Sequence, residues 1–256
     1  MLFKKRFINV AVKILLFMLI LVIGGCKQQQ HDEVYLDSAL KAHIELIQEG
    51  KTGSARVRLR QYMEAEGETS QPLFLMGLSY HHDKKYAKAV HWFTRATQSN
   101  GQAYPHTGHF LGWSYFYLGN IEQAKANFQK YLAWKKDEPD SLFALGLIAL
   151  EEGELQQAEV LLRKAIVAGA SNVEMEAKAK ARLADVLVED GRWEDAVTLY
   201  KEAVLQNPDL YEAWHRFGFA LARIGKKDEA VVAAHQCELA RKRVRPELYE
   251  TTRFPE

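Results

Sequence analysis

Cysteine is nearly missing from this chain, with Cys26 and Cys237 the only two among 256 residues. Neither a CxxC pair nor a cysteine–histidine group with zinc-site spacing occurs, so a disulfide framework and the common structural zinc folds are excluded. Proline (six) and glycine (16) are also scarce. That suits helices, because proline in a helix interior costs about 3 kcal/mol. Charge of one sign is lacking too. The formal net charge is +1, and residues 1–25 hold Lys4, Lys5, Arg6 and Lys13 with no acid, so the remainder stands at −3. No basic surplus exists to seat a nucleic acid. No phosphate loop, nucleophile elbow, HExxH or paired-carboxylate motif stands out; Glu151-Glu152 and Asp137-Glu138 read as turn and helix-end acids. With 48% hydrophobic and 26% charged residues, the chain is globular and long enough for one solenoid or two small domains. It reads as non-catalytic, with no cofactor and no bound metal.

A long apolar run occurs only near the start. Residues 14–23 are unbroken hydrophobics after a basic stretch, and Gly24-Gly25-Cys26 follows. A basic start, a short apolar core and small residues make a secretory signal; a comfortable bilayer span needs about 20 residues. The ending Ile23-Gly24-Gly25-Cys26 resembles a bacterial lipobox. That resemblance implies removal of residues 1–25 and lipidation of Cys26 as the mature N-terminus. An uncleaved anchor with an incidental cysteine is the alternative, and either places the remainder outside the cytoplasm. Each buried acyl methylene contributes about 0.8 kcal/mol, and stable anchoring takes more than one chain. Lys27, where an Asp often retains lipoproteins at the inner membrane, favours an outer-membrane position facing the periplasm. Residues 26–35 are polar and read as a tether reaching at most about 30 Å.

The remainder is organised by a spacing. Gly77, Gly112, Gly146, Ala184 and Gly218 follow one another at steps of 35, 34, 38 and 34, and Ala89, Ala124, Ala158, Ala196 and Ala230 each come 12 residues later. Such a period predicts stacked helix pairs that bury a core only against their neighbours. The small residue of the first helix is expected to let the second approach, with the later Ala facing it. Turn glycines follow at Gly119, Gly153, Gly191 and Gly225, suited to left-handed helix ends. The step of 38 predicts either a longer loop around residues 169–172 or one more helical turn.

These units resemble tetratricopeptide repeats. Leu73, Met76-Gly77, Tyr80, Ala89, Phe93 and Ala96 carry the likeness in one unit. Leu111-Gly112, Tyr115, Ala124, Phe128 and Tyr131 carry it in the next. Later units show Leu142, Gly146, Ala158, Leu162 and Ala165; then Leu183, Ala184, Ala196, Tyr200, Ala203 and Pro208; then Trp214, Gly218, Leu221, Ala230 and Cys237, where Ala234 replaces the aromatic. A weaker unit with His43, Leu46, Gly50, Ala55 and Leu59 precedes them. The resemblance implies an all-α solenoid over 36–242, of six helix pairs near 36–69, 70–103, 105–138, 139–172, 177–210 and 211–244. Cys237 fits a buried small-residue slot, with a redox or intermolecular thiol as the alternative. The run Arg241–Arg245 suits the negative end of a helix dipole, or, alternatively, anionic lipid heads. Residues 243–256 are expected to be a C-terminal tail, extended or docking from 247 on, after Pro246 ends the helix.

In that family the first helices line a concave face. Carried over, the groove would present Phe74, Leu78, His81 and His82, then His106, His109, Trp113, Phe116 and Tyr117, then Phe143, Leu147 and Glu151. A polar end would follow with Lys178, Asp185, Glu189, Glu212, His215, Phe219 and Arg223. Such a groove suits an extended or helical peptide with apolar anchors; the alternative is that these aromatics only pack between helices. The family's Lys/Asn carboxylate clamp is absent, its positions being Phe74, Leu78, His109 and Trp113. His81, His82, His106 and His109 raise zinc as an alternative, but no repeated third-ligand spacing supports it. The expectation is an exported lipoprotein scaffold that holds a protein or peptide partner at a membrane. Alternatives are an accessory or maturation subunit of an exported enzyme, and a factor similar in layout to the pilotin lipoproteins of pilus and secretin assembly.

Overall fold

The computed structural model describes residues 36–99 and 103–249. The signal, Cys26, the tether and the end of the tail lie outside these residues. Within them run twelve α-helices and no strand. The pairs are α1 (Lys41–Gln48) with α2 (Thr52–Glu66), α3 (Ser70–His82) with α4 (Tyr86–Gln98), and α5 (Thr107–Tyr117) with α6 (Ile121–Trp134). They continue with α7 (Pro139–Glu151) and α8 (Leu155–Ala168), α9 (Val173–Glu189) and α10 (Trp193–Gln206), and α11 (Tyr211–Arg223) and α12 (Lys227–Val244). Short 3-10 turns at Ser38–Leu40 and Pro246–Leu248 flank the array. Among the described residues no helix is long and apolar enough to cross a membrane.

The two helices of a pair are buried differently, and the sequence shows why. Second helices carry one narrow apolar stripe at i, i+4 and i+7: Ala89, Phe93 and Ala96 in α4, Ala124, Phe128 and Tyr131 in α6, Ala158, Leu162 and Ala165 in α8. One stripe covers one neighbouring face. First helices are enclosed more widely: α3 buries every residue from Pro72 to Gly77, and Ser79. They touch both their own second helix and the helices of the adjoining pairs.

The helix-to-helix turns share one geometry. Gly119, Gly153, Gly191 and Gly225 take φ of 75°, 75°, 77° and 83°. The next residue's N–H returns to a carbonyl five residues back, as from Glu154 to Ala149 at 2.8 Å, closing the helix end. Between α3 and α4 a lysine, Lys84, holds this position at φ 57°.

Two details differ from the sequence expectation. What rests on Gly77, Gly112 and Gly146 is the residue 16 later, not the alanine 12 later, whereas at Gly218 the atom nearest a built Cβ is the Ala230 carbonyl oxygen at 3.4 Å. A Cβ built on Gly77 would lie 2.5 Å from the Phe93 ring, one on Gly112 2.8 Å from Phe128, and one on Gly146 2.7 Å from Leu162. The alanines are buried as well, but the ring needs the missing Cβ. The step of 38 is resolved as extra helix. The first helix α9 runs 17 residues against 13 in α7 and α11, and Asn172 caps it by accepting from the Met175 N–H at 3.1 Å.

Candidate protein-binding groove

First helices of the last four pairs enclose a continuous hollow. A cavity of about 910 Å³ is lined by Phe116, Leu147, Glu151, Arg182, Asp185, Glu189, Arg216 and Phe219, among others. One of about 420 Å³ adjoins it through Phe116, Leu147, Arg182 and Arg216, and adds Trp113, Tyr117, Phe143 and Lys178. One wall is aromatic. Tyr117 stacks on Tyr86 at 4.6 Å and on Trp113 at 5.6 Å, while Phe116 meets Trp113 edge-on at 5.5 Å. Tyr117 nevertheless keeps 52% of its surface exposed. Such rings supply contact area with little flexibility to lose.

The other wall is charged. The Asp185 carboxylate accepts from Tyr200 Oη at 2.5 Å and from Arg182 Nη1 at 3.1 Å, and pairs with Arg216. Arg182 reaches on to Glu212 at 3.5 Å. Burial, and the carboxylate beside it, push the Tyr200 phenol well above its ordinary range, so it stays a donor. Glu151 and Glu189 are exposed in the cavity, and neither makes an ion pair with a described residue.

Of the groove residues expected from sequence, Trp113, Phe116, Tyr117, Phe143, Leu147, His215 and Phe219 line these cavities. Phe74 and His109 do not, and that expectation is corrected. Phe74 is 3% exposed and packs on Phe93, Tyr104 and Phe110. His109 is 8% exposed against Phe128 and Tyr131, with Nδ1 hydrogen-bonded to Ser141 Oγ at 2.8 Å. Both stand three residues before their glycine and are covered by the next helix pair, whereas Phe143 and His215 in the same column line the hollow. Leu78 is half-buried and His82 exposed on α3, away from the hollow. His106 precedes α5 and is tied to Tyr131 Oη through Nδ1 at 2.9 Å. Arg182 and Arg216 were missed. They stand two residues before Ala184 and Gly218, where earlier units carry Leu75, Phe110 and Ala144. The change of that column from apolar to arginine was visible in the sequence.

The histidines form inter-pair joints. Ser114 donates to the Phe110 carbonyl at 2.8 Å, and its oxygen meets His81 Nδ1 at 2.9 Å. Burial lowers His81 and His109 to about 4, so both are neutral at neutral pH. Among the described residues one group has a metal-ligand composition: atoms of His109, Glu138 and Asp140 lie within 4.8 Å of one another. Two of the three already serve the fold, His109 Nδ1 meeting Ser141 Oγ and Glu138 accepting from the Ser141 N–H at 2.7 Å. The arrangement caps α7.

Comparison with known proteins agrees with this architecture. Two models described as tetratricopeptide repeat match, over residues 111–173 and 149–224. Residues 111–224 carry tetratricopeptide repeats. Among solved structures it is similar to Cut9 in the APC/C hetero-tetramer Cut9–Hcn1 (TM-score 0.68, 17% identity, 78% of this chain). It spans only 39% of that chain. It is also similar to Pseudomonas aeruginosa pilF (TM-score 0.67, 16% identity, 82% of this chain and 91% of that one). A third is YrrB, described as a TPR protein with an unusual peptide-binding site (TM-score 0.55, 16% identity, 74% and 93%). At these identities the likeness is one of fold. No curated protein matches the chain.

Proposed function

We propose that this protein is a non-catalytic scaffold that takes a segment of a partner protein into the hollow between α5 and α11. It is exported, lipidated at Cys26, and so holds that partner at a membrane, the outer membrane where the host has one. The observation that carries the binding reading is the juxtaposition of an exposed aromatic wall with two acids, Glu151 and Glu189, that have no ion-pair partner among the described residues. It suits a segment with apolar anchors beside a lysine or arginine. The peptide-binding description of YrrB is in keeping with it. The anchoring reading rests on the signal-like start and on Cys26.

Peptide-array selection followed by calorimetry tests the groove. Trp113→Ala combined with Tyr117→Ala should weaken the selected peptides at least tenfold while leaving helicity and melting nearly intact. Glu151→Gln with Glu189→Gln should weaken only those with a basic flank. Unchanged affinity in the aromatic double variant sinks the assignment. Detergent phase partition and mass spectrometry of the mature N-terminus test the anchor: Cys26→Ser should move the protein to the aqueous phase. A role like that of the pilotins is a second reading. It is favoured by the lipobox-like start joined to six pairs, and by the extent of the pilF similarity.

A further inference from the structure

Two arginines in the hollow converge on one carboxylate. Arg182 on α9 and Arg216 on α11 stand on neighbouring first helices, and both reach Asp185. That carboxylate is fixed from behind. Tyr200, the residue 16 after Ala184, fills its pair as Phe93, Phe128 and Leu162 fill theirs, and it alone of these four carries a hydroxyl. Its Oη donates to Asp185 at 2.5 Å. Three donors thus meet an acid whose side chain is 13% exposed. A carboxylate so engaged has little left to offer a ligand; the arginines have more.

A guanidinium holds five N–H donors in a planar fork. Arg216 engages Asp185 through Nη1, and its Nη2 and Nε have no hydrogen-bond partner among the described residues. Its side chain is 41% exposed. Beyond Asp185, Arg182 makes a 3.5 Å contact with Glu212, which is exposed. An exposed pair of that length is readily exchanged. Two guanidinium groups beside one enclosed carboxylate therefore leave free donors and positive charge facing the hollow. Their place in it matters. Arg182 and Arg216 line both cavities, whereas Trp113, Tyr117 and Phe143 line the smaller and Glu151 and Glu189 the larger. The arginines stand at the junction of the aromatic wall and the free acids. We propose that this junction is a subsite for an aspartate or glutamate side chain of the bound segment. The fork of Arg216 matches both oxygens of such a group. The subsite rests on the groove reading above and deepens it: along the hollow the partner reads apolar, then acidic, then basic.

An array of short peptides, offered to the full chain in mild detergent, tests this order. Each peptide is amidated at its C-terminus and carries two leucines, one lysine and either a glutamate or a glutamine, arranged in every order. Peptides with the glutamate between the leucines and the lysine should bind best, and calorimetry should show the glutamine version weakened at least tenfold. Arg216→Gln should bring the two versions within twofold of each other, and Arg182→Gln should shrink their ratio at least threefold. Glu151→Gln with Glu189→Gln should leave that ratio intact. Equal binding of the two versions, or an unchanged ratio in Arg216→Gln, overturns the subsite; the groove reading survives if binding still depends on Trp113 and Tyr117. Binding that ignores Trp113→Ala with Tyr117→Ala, or no binding of any peptide, ends both. A preference for acid that appears only when the peptide C-terminus is left free overturns the side-chain assignment.

Discussion

At the residue scale, two glycines in the same sequence column have opposite tolerances. Gly77 lies beneath the Phe93 ring, with the ring's inner carbon 2.9 Å from where a Cβ would stand. That carbon cannot swing away as a side-chain tip could. Gly77→Ala should cost about 1–3 kcal/mol through overpacking. Gly218→Ala meets only ordinary contacts and gains helix propensity of up to about 1 kcal/mol, so it should be neutral or stabilising. Thermal and urea melts of the pair check the contrast; equal destabilisation would mean that the last pair is packed like the others. The small column itself was legible, because its period cannot arise from composition. Its contact partner was not: positions 12 and 16 later are both buried on the second helix, and only atomic distances tell which side chain occupies the space of the missing Cβ.

At the element scale, α9 is the exceptional first helix. Its extra length accounts for the irregular step, and its start depends on one side chain. Asn172→Ala should cost about 1 kcal/mol through loss of the cap. Amide exchange should rise over the first turn of α9 and stay unchanged in α10; a uniform rise across the pair would assign Asn172 to packing instead. Loop and extra turn could not be separated in the sequence, since Gly169-Ala170-Ser171-Asn172 reads as either a connection or an N-cap. The groove elements divided in the same way. Trp113, Tyr117, Phe143 and Leu147 were identifiable by phase because they flank a glycine on a first helix. Phe74 and His109 obey the same rule and yet are core, because whether their column is open depends on the pair stacked next, which periodicity does not describe.

At the scale of the whole molecule, polar joints couple one pair to the next: His81 with Ser114, His109 with Ser141, Arg56 with Asp83 and Lys125 with Glu152. The two histidine joints make stability depend on pH. Their folded pKa is depressed by burial to about 4 from an ordinary 6.5, so between those values the unfolded chain binds more protons. Stability is therefore fully present above about 6.5 and falls as pH drops toward 4. Asp140, whose carboxyl is raised by burial and by Glu138, works against this loss over part of the same window. Melting temperature measured from pH 7.5 to 4.5 should decline most steeply below 6.5, and His81→Gln should flatten the slope. An unaltered slope in that variant would refute the role of the joint.

The contacts between helices run mainly to the next or next-but-one helix. A molecule held at one end and tugged at the other would therefore have no long-range clasp to break all at once. It would yield in instalments, each released module of about 34 residues paying out on the order of 100 Å of slack, and the neighbours left behind would keep their shape. Such a body absorbs load as a chain of small catches rather than as a single latch.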